Sequence, residues 1–209
     1  MSGKARIAVL VSGGGTNLQA ILDAAARGEI PDGEVALVIS DRSGAYALER
    51  AEKAGIPALE INKKACGGQL PFEQQLIAAL TTNRIDLIVL AGFLSILTER
   101  FTARYARRIV NVHPSLIPSF CGAGFYGLKV HEAALARGVK VTGATVHFVN
   151  EIPDGGEIIA QKAVEIREGD TAEVLQRRVM EEAEWILLPG CVEKISAEIF
   201  STQDLGFRI

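Results

Sequence analysis

An alternation of short, continuously apolar runs with longer helical patterns is the feature that most constrains this chain's fold. The clearest runs are Ile7–Val11 (IAVLV), Val35–Ile39 (VALVI) and Leu87–Leu90 (LIVL). A run that is apolar at every position belongs to a strand buried on both faces. Such strands, joined by helices, form a parallel sheet with right-handed crossovers. The sequence therefore predicts an α/β fold: a mostly parallel, twisted, Rossmann-like sheet with helices on both faces.

The first half continues this pattern. Two further strands are predicted at Ala58–Ile61 and Ile109–Val112, and four helices at Asn17–Ala26, Ala45–Ala54, Phe72–Thr82 and Glu99–Ala106. A first helix that begins near Asn17 would be capped by Thr16 or Asn17, because hydroxyl and amide side chains accept hydrogen bonds from first-turn N–H groups.

The pattern changes after Pro118. A Gly-rich loop (CGAGFYG) precedes a helix at Leu128–Arg137, and two extended runs flank the sequence NEIPDGG. Because Asp-Gly-Gly is a strong turn signal, an antiparallel hairpin is predicted in the C-terminal half. A long final helix begins at Asp170 or Thr171, and Pro189 with Gly190 predicts a break or bend in it.

Composition excludes several classes of protein. The 209 residues carry a net charge of −3 without a long basic run, which argues against binding to nucleic acid or to a membrane surface. Cys66, Cys121 and Cys191 are scattered and lack the spacing of a zinc site or a disulfide framework, so no metal is predicted. No apolar run reaches membrane-spanning length and no secretory signal is seen. We expect a single cytoplasmic domain over residues 1–209.

The sequence VLVSGGGTNLQAIL joins a strand to an amphipathic helix through a Gly-rich turn. Glycines let several backbone N–H groups approach an anion closely, and a helix N-terminus adds about half a positive charge. The turn has neither a Walker A nor a GxGxxG spacing, and Asp41 only loosely matches a ribose-binding acid. The prediction is a site for one phosphate monoester; the alternative is a tight turn without a ligand.

A possible reacting centre lies in the sequence NVHPS. Residues i and i+2 of a strand face the same way, so Asn111 and His113 can flank one carbonyl. An amide and an imidazolium are suitable donors for an oxyanion, and His113 could also move a proton. The alternative is that His113 only satisfies a buried carbonyl. Ser115 lacks the GxSxG context of a serine nucleophile.

Other polar side chains have weaker signals. Asp154 lies in the hairpin turn, and if it lies near His113 it would favour the charged form of that ring. The alternative is that Asp154 only hydrogen-bonds its own backbone, which is the more common role of an isolated Asp-Gly pair. His147 is either a donor behind the site or a core histidine, and His131 is predicted to lie at the surface or its boundary. The apolar segment Leu94–Leu97 follows a central strand and either packs in the core or lines a flat ligand slot. Ligands of open parallel sheets bind in a crevice outside the carboxyl ends of the strands, so these predicted site segments are expected to share one crevice.

Together, the sequences SGGGTNLQAIL, LAGFLSIL, NVHPSLIPSF, TGATVHFV and PDGGEIIAQ resemble the glycinamide ribonucleotide formyltransferases of purine biosynthesis. The resemblance extends from about residue 7 to residue 189. It implies transfer of a formyl group from 10-formyltetrahydrofolate, a co-substrate, to the amine of glycinamide ribonucleotide. It also implies a phosphate-binding half at about residues 6–110 and a folate-binding, catalytic half at about residues 111–200. Oligomeric state stays open between monomer and homodimer.

The resemblance assigns roles to individual residues. The resemblance implies that Asn111, His113 and Asp154 are the catalytic residues and that His147 lies behind them. Contacts to the ribonucleotide fall to Gly14, Gly15, Thr16, Asn17, Glu181 and Glu184. Contacts to the folate fall to Gln69, Leu94, Ser95, Ile96, Leu97, Asn111, Asn150, Glu151, Ile152, Pro153 and Asp154.

Two alternatives belong to different functional classes. A formyltetrahydrofolate deformylase would use the same site with water as acceptor, and the long loop FCGAGFYGLKVHEAAL resembles that family. Such enzymes usually carry an N-terminal regulatory domain, for which we expect no room before the first strand. A non-catalytic nucleotide-phosphate-binding module would keep the glycine turn but would not need Asn111, His113 and Asp154 together.

Overall fold

The computed structural model describes residues 3–204, which form two compact units. The first comprises the chain up to Leu97 and again from Val192; the second comprises Thr98–Cys191. Our prediction of a single domain, with halves that meet near residue 110, is not tested by this division and stays a prediction.

The first unit is built around four parallel strands in the order β3-β2-β1-β4. Its elements are β1 (Ala5–Val11), α1 (Thr16–Ala26), β2 (Gly33–Ser40), α2 (Tyr46–Lys53), β3 (Ala58–Glu60), α3 (Gln69–Thr82) and β4 (Leu87–Leu90). The central strand is fully buried from Ile7 to Val11, as its uninterrupted apolar run predicts. Because β1, β2 and β4 are parallel and in register, the segments that follow Val11, Ser40 and Leu90 meet at one edge of the sheet.

The second unit carries antiparallel strands in the order β5-β6-β7. Its elements are α4 (Glu99–Arg104), β5 (Ile109–His113), α5 (Leu128–Arg137), β6 (Val141–Phe148), β7 (Ile158–Glu165), α6 (Ala172–Val179) and a π-helical turn (Met180–Glu184); α7 (Trp185–Asp204) begins here and ends in the first unit. The hairpin of β6 and β7 confirms the prediction made from NEIPDGG. In β5, Asn111 is opposite His147 and His113 is opposite Thr145.

The predicted fold class is confirmed: parallel strands connected by helices, with an antiparallel hairpin in the C-terminal half. One prediction about these elements is wrong: the cap of α1 is Gly15, in the left-handed conformation and without a side-chain hydrogen bond, rather than Thr16 or Asn17. At Pro189 a break or a bend was predicted; the helix does not break there, because Pro189 lies inside α7, and the bend stays a prediction. In the part of the chain that the structure describes, no helix has the length and apolarity needed to cross a membrane.

Candidate active site

Asp154 lies beside the two polar side chains that end β5. Its Oδ2 is 3.5 Å from Nδ1 of His113, and its Oδ1 is 3.6 Å from Nε2 of His147. The same His147 nitrogen is 3.2 Å from the amide nitrogen of Asn111. Four side chains that the sequence places up to 43 positions apart therefore form one cluster in the second unit.

Two main-chain groups complete this cluster. Nε2 of His113 lies 2.9 Å from the carbonyl oxygen of Phe120, and the N–H of Gly122 donates to Oδ2 of Asp154 at 2.8 Å. Both nitrogens of His113 thus face oxygen acceptors, and only the doubly protonated ring has a proton for each. The ring is 4% exposed, so these contacts rather than water determine its hydrogen bonding.

Asp154 has an electrostatic environment that favours its charged form. Burial acts to raise the pKa of the carboxyl group, but His147, the N–H of Gly122 and the charge of His113 outweigh it. The pKa of Asp154 is therefore lowered from its ordinary value of 3.8. A carboxylate that stays charged at neutral pH can hold a proton on an adjacent imidazole.

His147 connects Asp154 to Asn111. Its Nδ1 lies 2.8 Å from the carbonyl oxygen of Phe148, which assigns a proton to that nitrogen. When the ring is neutral, Nε2 accepts a hydrogen bond from the Asn111 amide; when it is charged, Nε2 donates toward Asp154. In the described residues the Asn111 side chain has no other partner, so its second N–H is available to a ligand.

Both residues that contact His113 from the loops have positive φ without being glycine. The φ angle is 51° at Phe120 and 56° at Asp154. A bulky residue in the left-handed region costs about 1–2 kcal/mol, and such strain concentrates at functional sites. The surrounding structure therefore stabilises two unfavourable backbone conformations that place an acceptor on each side of one imidazole.

Ser115 and Thr145 hold the loop that carries the Phe120 carbonyl. Ser115 donates its hydroxyl to the carbonyl of Ser119 at 2.5 Å, which leaves it in a structural role rather than as a nucleophile. Thr145 donates to the carbonyl of Ser115 at 2.7 Å and accepts from Gln161 at 3.0 Å. This chain of bonds connects the strands of the hairpin to the loop.

The prediction that His131 lies at or near the surface is wrong. On α5 its side chain is fully buried, and neither ring nitrogen has a hydrogen-bond partner in the described residues. Burial, with a smaller effect of the charge of His113, lowers the pKa of His131 from 6.5 to about 4. The ring is therefore neutral at physiological pH.

The Gly-rich turn lies in the first unit. Gly15 has a φ of 70° and begins α1, so Gly14, Thr16 and Asn17 occupy the turn and the first helical residues. A Cβ at Gly15 would lie 2.6 Å from Cβ of Ala47, whereas a Cβ at Gly14 would meet nothing within 4 Å. The turn is thus tightly packed against α2 on one side and open on the other.

The segment Leu94–Leu97 is held by hydrogen bonds within the first unit. Ser12 accepts from the N–H of Leu94 at 2.8 Å, Ser95 donates to the buried Asp41 at 2.5 Å, and Gln69 donates to the carbonyl of Ile96 at 3.0 Å. The side chains of Leu94 and Ile96 are exposed, and that of Leu97 is buried. The side chains of Leu94 and Ile96 therefore form an exposed apolar surface, whereas those of Ser95 and Gln69 are hydrogen-bonded within the protein.

The remaining predicted residues lie in the second unit. In the hairpin turn, Asn150 accepts from the N–H of Ile152 at 3.0 Å, and the segment Asn150–Pro153 leads into Asp154. Ile152 and Glu151 are exposed. In the π-helical turn, Glu181 is exposed and pairs with Arg177 at 2.8 Å, whereas Glu184 is buried.

Sequence reasoning missed the groups that act through the main chain. The carbonyl of Phe120 and the N–H of Gly122 have no signature in side-chain chemistry, although the glycines of CGAGFYG indicate a loop with unusual backbone angles. The π-helical turn was also missed, because its i→i+5 bonding has no residue pattern. Within residues 3–204, no group of three or more His, Cys, Asp or Glu side chains could hold a metal ion.

Comparisons with known proteins identify a family. The family described as formyl transferase matches residues 5–190. A phosphoribosylglycinamide formyltransferase of Haemophilus influenzae is 43% identical over 177 residues, which are 85% of this chain and 81% of that protein. A trifunctional purine biosynthetic protein adenosine-3 of Homo sapiens is 41% identical over 194 residues, 93% of this chain. The chain spans only about a fifth of such trifunctional relatives (18% of the human protein).

Solved structures show the same fold. A glycinamide ribonucleotide transformylase 1 from Symbiobacterium toebii superposes with a TM-score of 0.87 and 44% identity, over 93% of this chain and 89% of that one. A phosphoribosylglycinamide formyltransferase from Brucella melitensis gives a TM-score of 0.84 and 40% identity, over 93% of this chain and 96% of that one.

Proposed function

The chain belongs to the formyl transferase family, and on this premise we propose that it transfers a formyl group from 10-formyltetrahydrofolate to the amine of glycinamide ribonucleotide. The names of relatives that match in length, such as the phosphoribosylglycinamide formyltransferase of Haemophilus influenzae, support the acceptor and the formyl group that is transferred. The observation that carries the proposal is the cluster of Asn111, His113 and Asp154, with 3.5 Å between the ring and the carboxylate. Phosphate binding or folding alone does not require such a cluster.

The reaction begins when the uncharged amine of the ribonucleotide attacks the formyl carbon. A new C–N bond forms, and the carbonyl oxygen becomes an oxyanion. The second N–H of Asn111 and the Nδ1–H of His113 are the donors that we assign to this oxyanion. The separation of 3.5 Å between Nδ1 and Asp154 exceeds a normal N–H···O bond, so this proton can be shared with a ligand oxygen. One well-placed donor lowers the barrier by about 3 kcal/mol.

Collapse of the tetrahedral intermediate breaks the bond between the formyl carbon and N10 of the folate. The amine loses one proton and N10 gains one, so the two products are formylglycinamide ribonucleotide and tetrahydrofolate. Asp154 keeps His113 charged during the addition, and the pair then relays the proton. The carboxylate is suited to this role because its pKa is lowered despite burial, through His147, Gly122 and His113.

The glycine turn and the apolar segment are assigned to the two substrates. The ribonucleotide phosphate binds at Gly14–Asn17, where the left-handed Gly15 opens the first turn of α1. Leu94–Leu97 and, separately, Asn150–Asp154 are proposed to contact the folate. Glu181 and Glu184 are proposed to contact the ribose; Glu184 is buried and Glu181 is exposed. Holding both substrates in line contributes several kcal/mol to the rate, about as much as the charges.

Substrate dependence tests the function. Purified protein is mixed with 10-formyltetrahydrofolate, with and without glycinamide ribonucleotide, and loss of the formyl donor is followed optically. The expected result is loss only when the ribonucleotide is present. Equal loss without it would identify a deformylase, and binding of ribose 5-phosphate without any loss would identify a non-catalytic module; either outcome overturns the proposal.

A further inference from the structure

The carbonyl groups of the glycine turn all point toward protein donors. The carbonyl of Gly13 accepts from the N–H of Ala47 at 3.1 Å, and that of Gly14 accepts from Nε of Arg50 at 2.8 Å. The carbonyl of Gly15 accepts from the N–H of Gln19 at 2.9 Å, inside α1. Two of these three donors lie on α2, so the orientation of the turn depends on that helix.

This arrangement determines where the N–H groups of the turn point. In the described part of the chain, the N–H groups of Gly13, Gly14 and Gly15 donate to no acceptor. Successive backbone N–H groups without an internal partner form an anion-binding concavity when the backbone holds them on one side. The open space beside Gly13 and Gly14 lets a ligand approach that side. The anion site is therefore preformed only if the carbonyl groups of the turn are held in place.

Arg50 is the only side chain, among the described residues, that hydrogen-bonds a carbonyl of the Gly13–Gly15 turn. Its Nη1 also donates to the side-chain oxygen of Gln19 at 2.9 Å, which connects α2 to α1 across the turn. The guanidinium lies 4.9 Å from the ring centroid of Tyr46, which restricts its rotation. A planar guanidinium serves two acceptors in fixed directions while it stacks on an aromatic ring, and the rotatable ammonium of a lysine does not reproduce this fixed geometry.

We propose that Arg50 is a positioning residue for the ribonucleotide phosphate, which acts by fixing the Gly14 carbonyl so that the N–H groups of the turn face the ligand. This inference rests on the proposed function, because it takes the turn as the phosphate site. It adds a residue of α2 to a site that the sequence placed only on the turn and on α1.

Lys53 provides a matched control on the same helix. It carries the same charge, and its ammonium lies 5.3 Å from the centroid of the same Tyr46 ring. It pairs with Glu49 at 3.9 Å and makes no hydrogen bond to the turn. Lys53→Ala therefore removes a positive charge from α2 without releasing the Gly14 carbonyl.

The first measurement is the Kd of ribose 5-phosphate, by calorimetry, for the parent and for Arg50→Lys, Arg50→Ala, Gln19→Ala and Lys53→Ala. We expect Arg50→Ala and Arg50→Lys to weaken binding about tenfold, since a charge-assisted hydrogen bond to the turn is lost. Gln19→Ala, which keeps Arg50 but removes its second acceptor, should weaken it about threefold, and Lys53→Ala less than twofold. An Arg50→Lys protein that binds like the parent would show that charge alone matters and would overturn the inference.

The second measurement separates positioning from a general structural role. In the transfer assay, Arg50→Lys should raise KM for the ribonucleotide while KM for the folate and kcat stay within about twofold of the parent. Equal changes in both KM values would indicate general distortion and would overturn the inference. The thermal unfolding midpoint of each variant checks the fold, and Gln19→Ala keeps the test valid if the Arg50 variants do not fold.

The failure of this inference can be told apart from that of the proposed function. If the parent transfers the formyl group and the Arg50 variants bind ribose 5-phosphate as it does, only the Arg50 assignment fails. If the parent binds ribose 5-phosphate without transfer, the proposed function fails while the Kd series still decides the role of Arg50. A parent that transfers the formyl group but does not bind ribose 5-phosphate overturns only the Arg50 inference, and a parent that neither transfers nor binds overturns both.

Discussion

Oδ2 of Asp154 lies 3.5 Å from Nδ1 of His113, and the same oxygen accepts the N–H of Gly122 at 2.8 Å. One carboxylate oxygen thus links the end of β5, the hairpin turn and the Gly-rich loop. Its proposed role depends on its charge, because only an anion holds the proton of His113 in place.

Asp154→Asn is expected to lower kcat by about 10²–10³-fold, because the amide keeps the shape of the side chain but cannot hold His113 charged. KM for the ribonucleotide should change little. Since the pKa of Asp154 is lowered from 3.8, the parental carboxylate stays charged between about pH 6 and 8, so its own titration does not contribute to the loss in that range. The measurement is kcat of parent and variant, by steady-state kinetics across that pH range.

Glu157→Gln is the matched control, since Glu157 follows the same turn, is exposed and pairs with Arg107. It should leave kcat within about twofold, as exposed ion pairs contribute little. A folded Asp154→Asn protein with parental kcat would remove Asp154 from the mechanism.

Ser95→Ala is expected to destabilise the protein by about 2 kcal/mol, because the Ser95 hydroxyl is bonded at 2.5 Å to a buried carboxylate. Asp41 is 5% exposed, its other oxygen has no hydrogen-bond partner in the described residues, and the nearest cation, Arg42, is 4.0 Å away. Without the hydroxyl, this carboxylate is left poorly solvated. Urea unfolding gives the free energy.

Two further variants show whether the effect depends on the buried charge. Asp41→Asn in the Ser95→Ala background should recover part of the stability, since an amide is less costly to leave unpaired. Ser43→Ala removes a hydroxyl that is also 2.5 Å from a carboxylate, Glu60, but at an exposed site, and should cost less than about 0.5 kcal/mol. Equal losses in Ser43→Ala and Ser95→Ala would contradict the explanation.

His131 predicts a pH dependence of stability that comes from burial. Its pKa is lowered to about 4 in the folded protein, against about 6.5 in the unfolded chain. The unfolded state therefore binds a proton more readily, so stability is complete above pH 6.5 and decreases as the pH falls toward 4. At about 1.4 kcal/mol per pH unit, the contribution lost by pH 5 is about 2 kcal/mol.

His131→Leu should remove this part of the acid sensitivity while leaving stability at pH 7.5 unchanged or higher, because neither ring nitrogen has a partner to lose in the described residues. The free energy of unfolding of parent and variant is compared at pH 7.5 and pH 5. If the difference between them is the same at both pH values, His131 does not titrate as assigned.

The sequence predicted the elements whose signal is periodic. β4 and the Ile7–Val11 part of β1 are apolar at each position and both strands were located within two residues, and α5 was predicted with its observed bounds. Asn111 and His113 followed from the i, i+2 geometry of a strand. His131 was predicted at the surface or its boundary, whereas its side chain is fully buried on α5. Only the folded chain reveals that Phe120 and Asp154 adopt positive φ, since a bulky Phe rarely does so and an Asp does so in only some turns.

Gly15 and Gly14 are neighbours with different structural demands, which gives the last prediction. Gly15→Ala introduces a Cβ 2.6 Å from that of Ala47, at a φ of 70°, and should cost about 2–4 kcal/mol. Gly14 has no positive φ, and an added Cβ would meet nothing within 4 Å. Gly14→Ala should therefore fold with near-parental stability, but raise KM for the ribonucleotide about tenfold, because the methyl group occupies the open side of the turn.

Ala47→Gly in the Gly15→Ala background relieves part of the cost at Gly15. It removes the methyl group of the 2.6 Å contact but leaves the left-handed backbone and the 2.9 Å approach to the Cα of residue 47, so only part of the stability should return. Urea unfolding and ribonucleotide kinetics on all three variants make the comparison. A Gly15→Ala protein as stable as Gly14→Ala would mean that the turn does not pack against α2. That result would contradict both the steric argument and the proposed orientation of the N–H groups toward a phosphate.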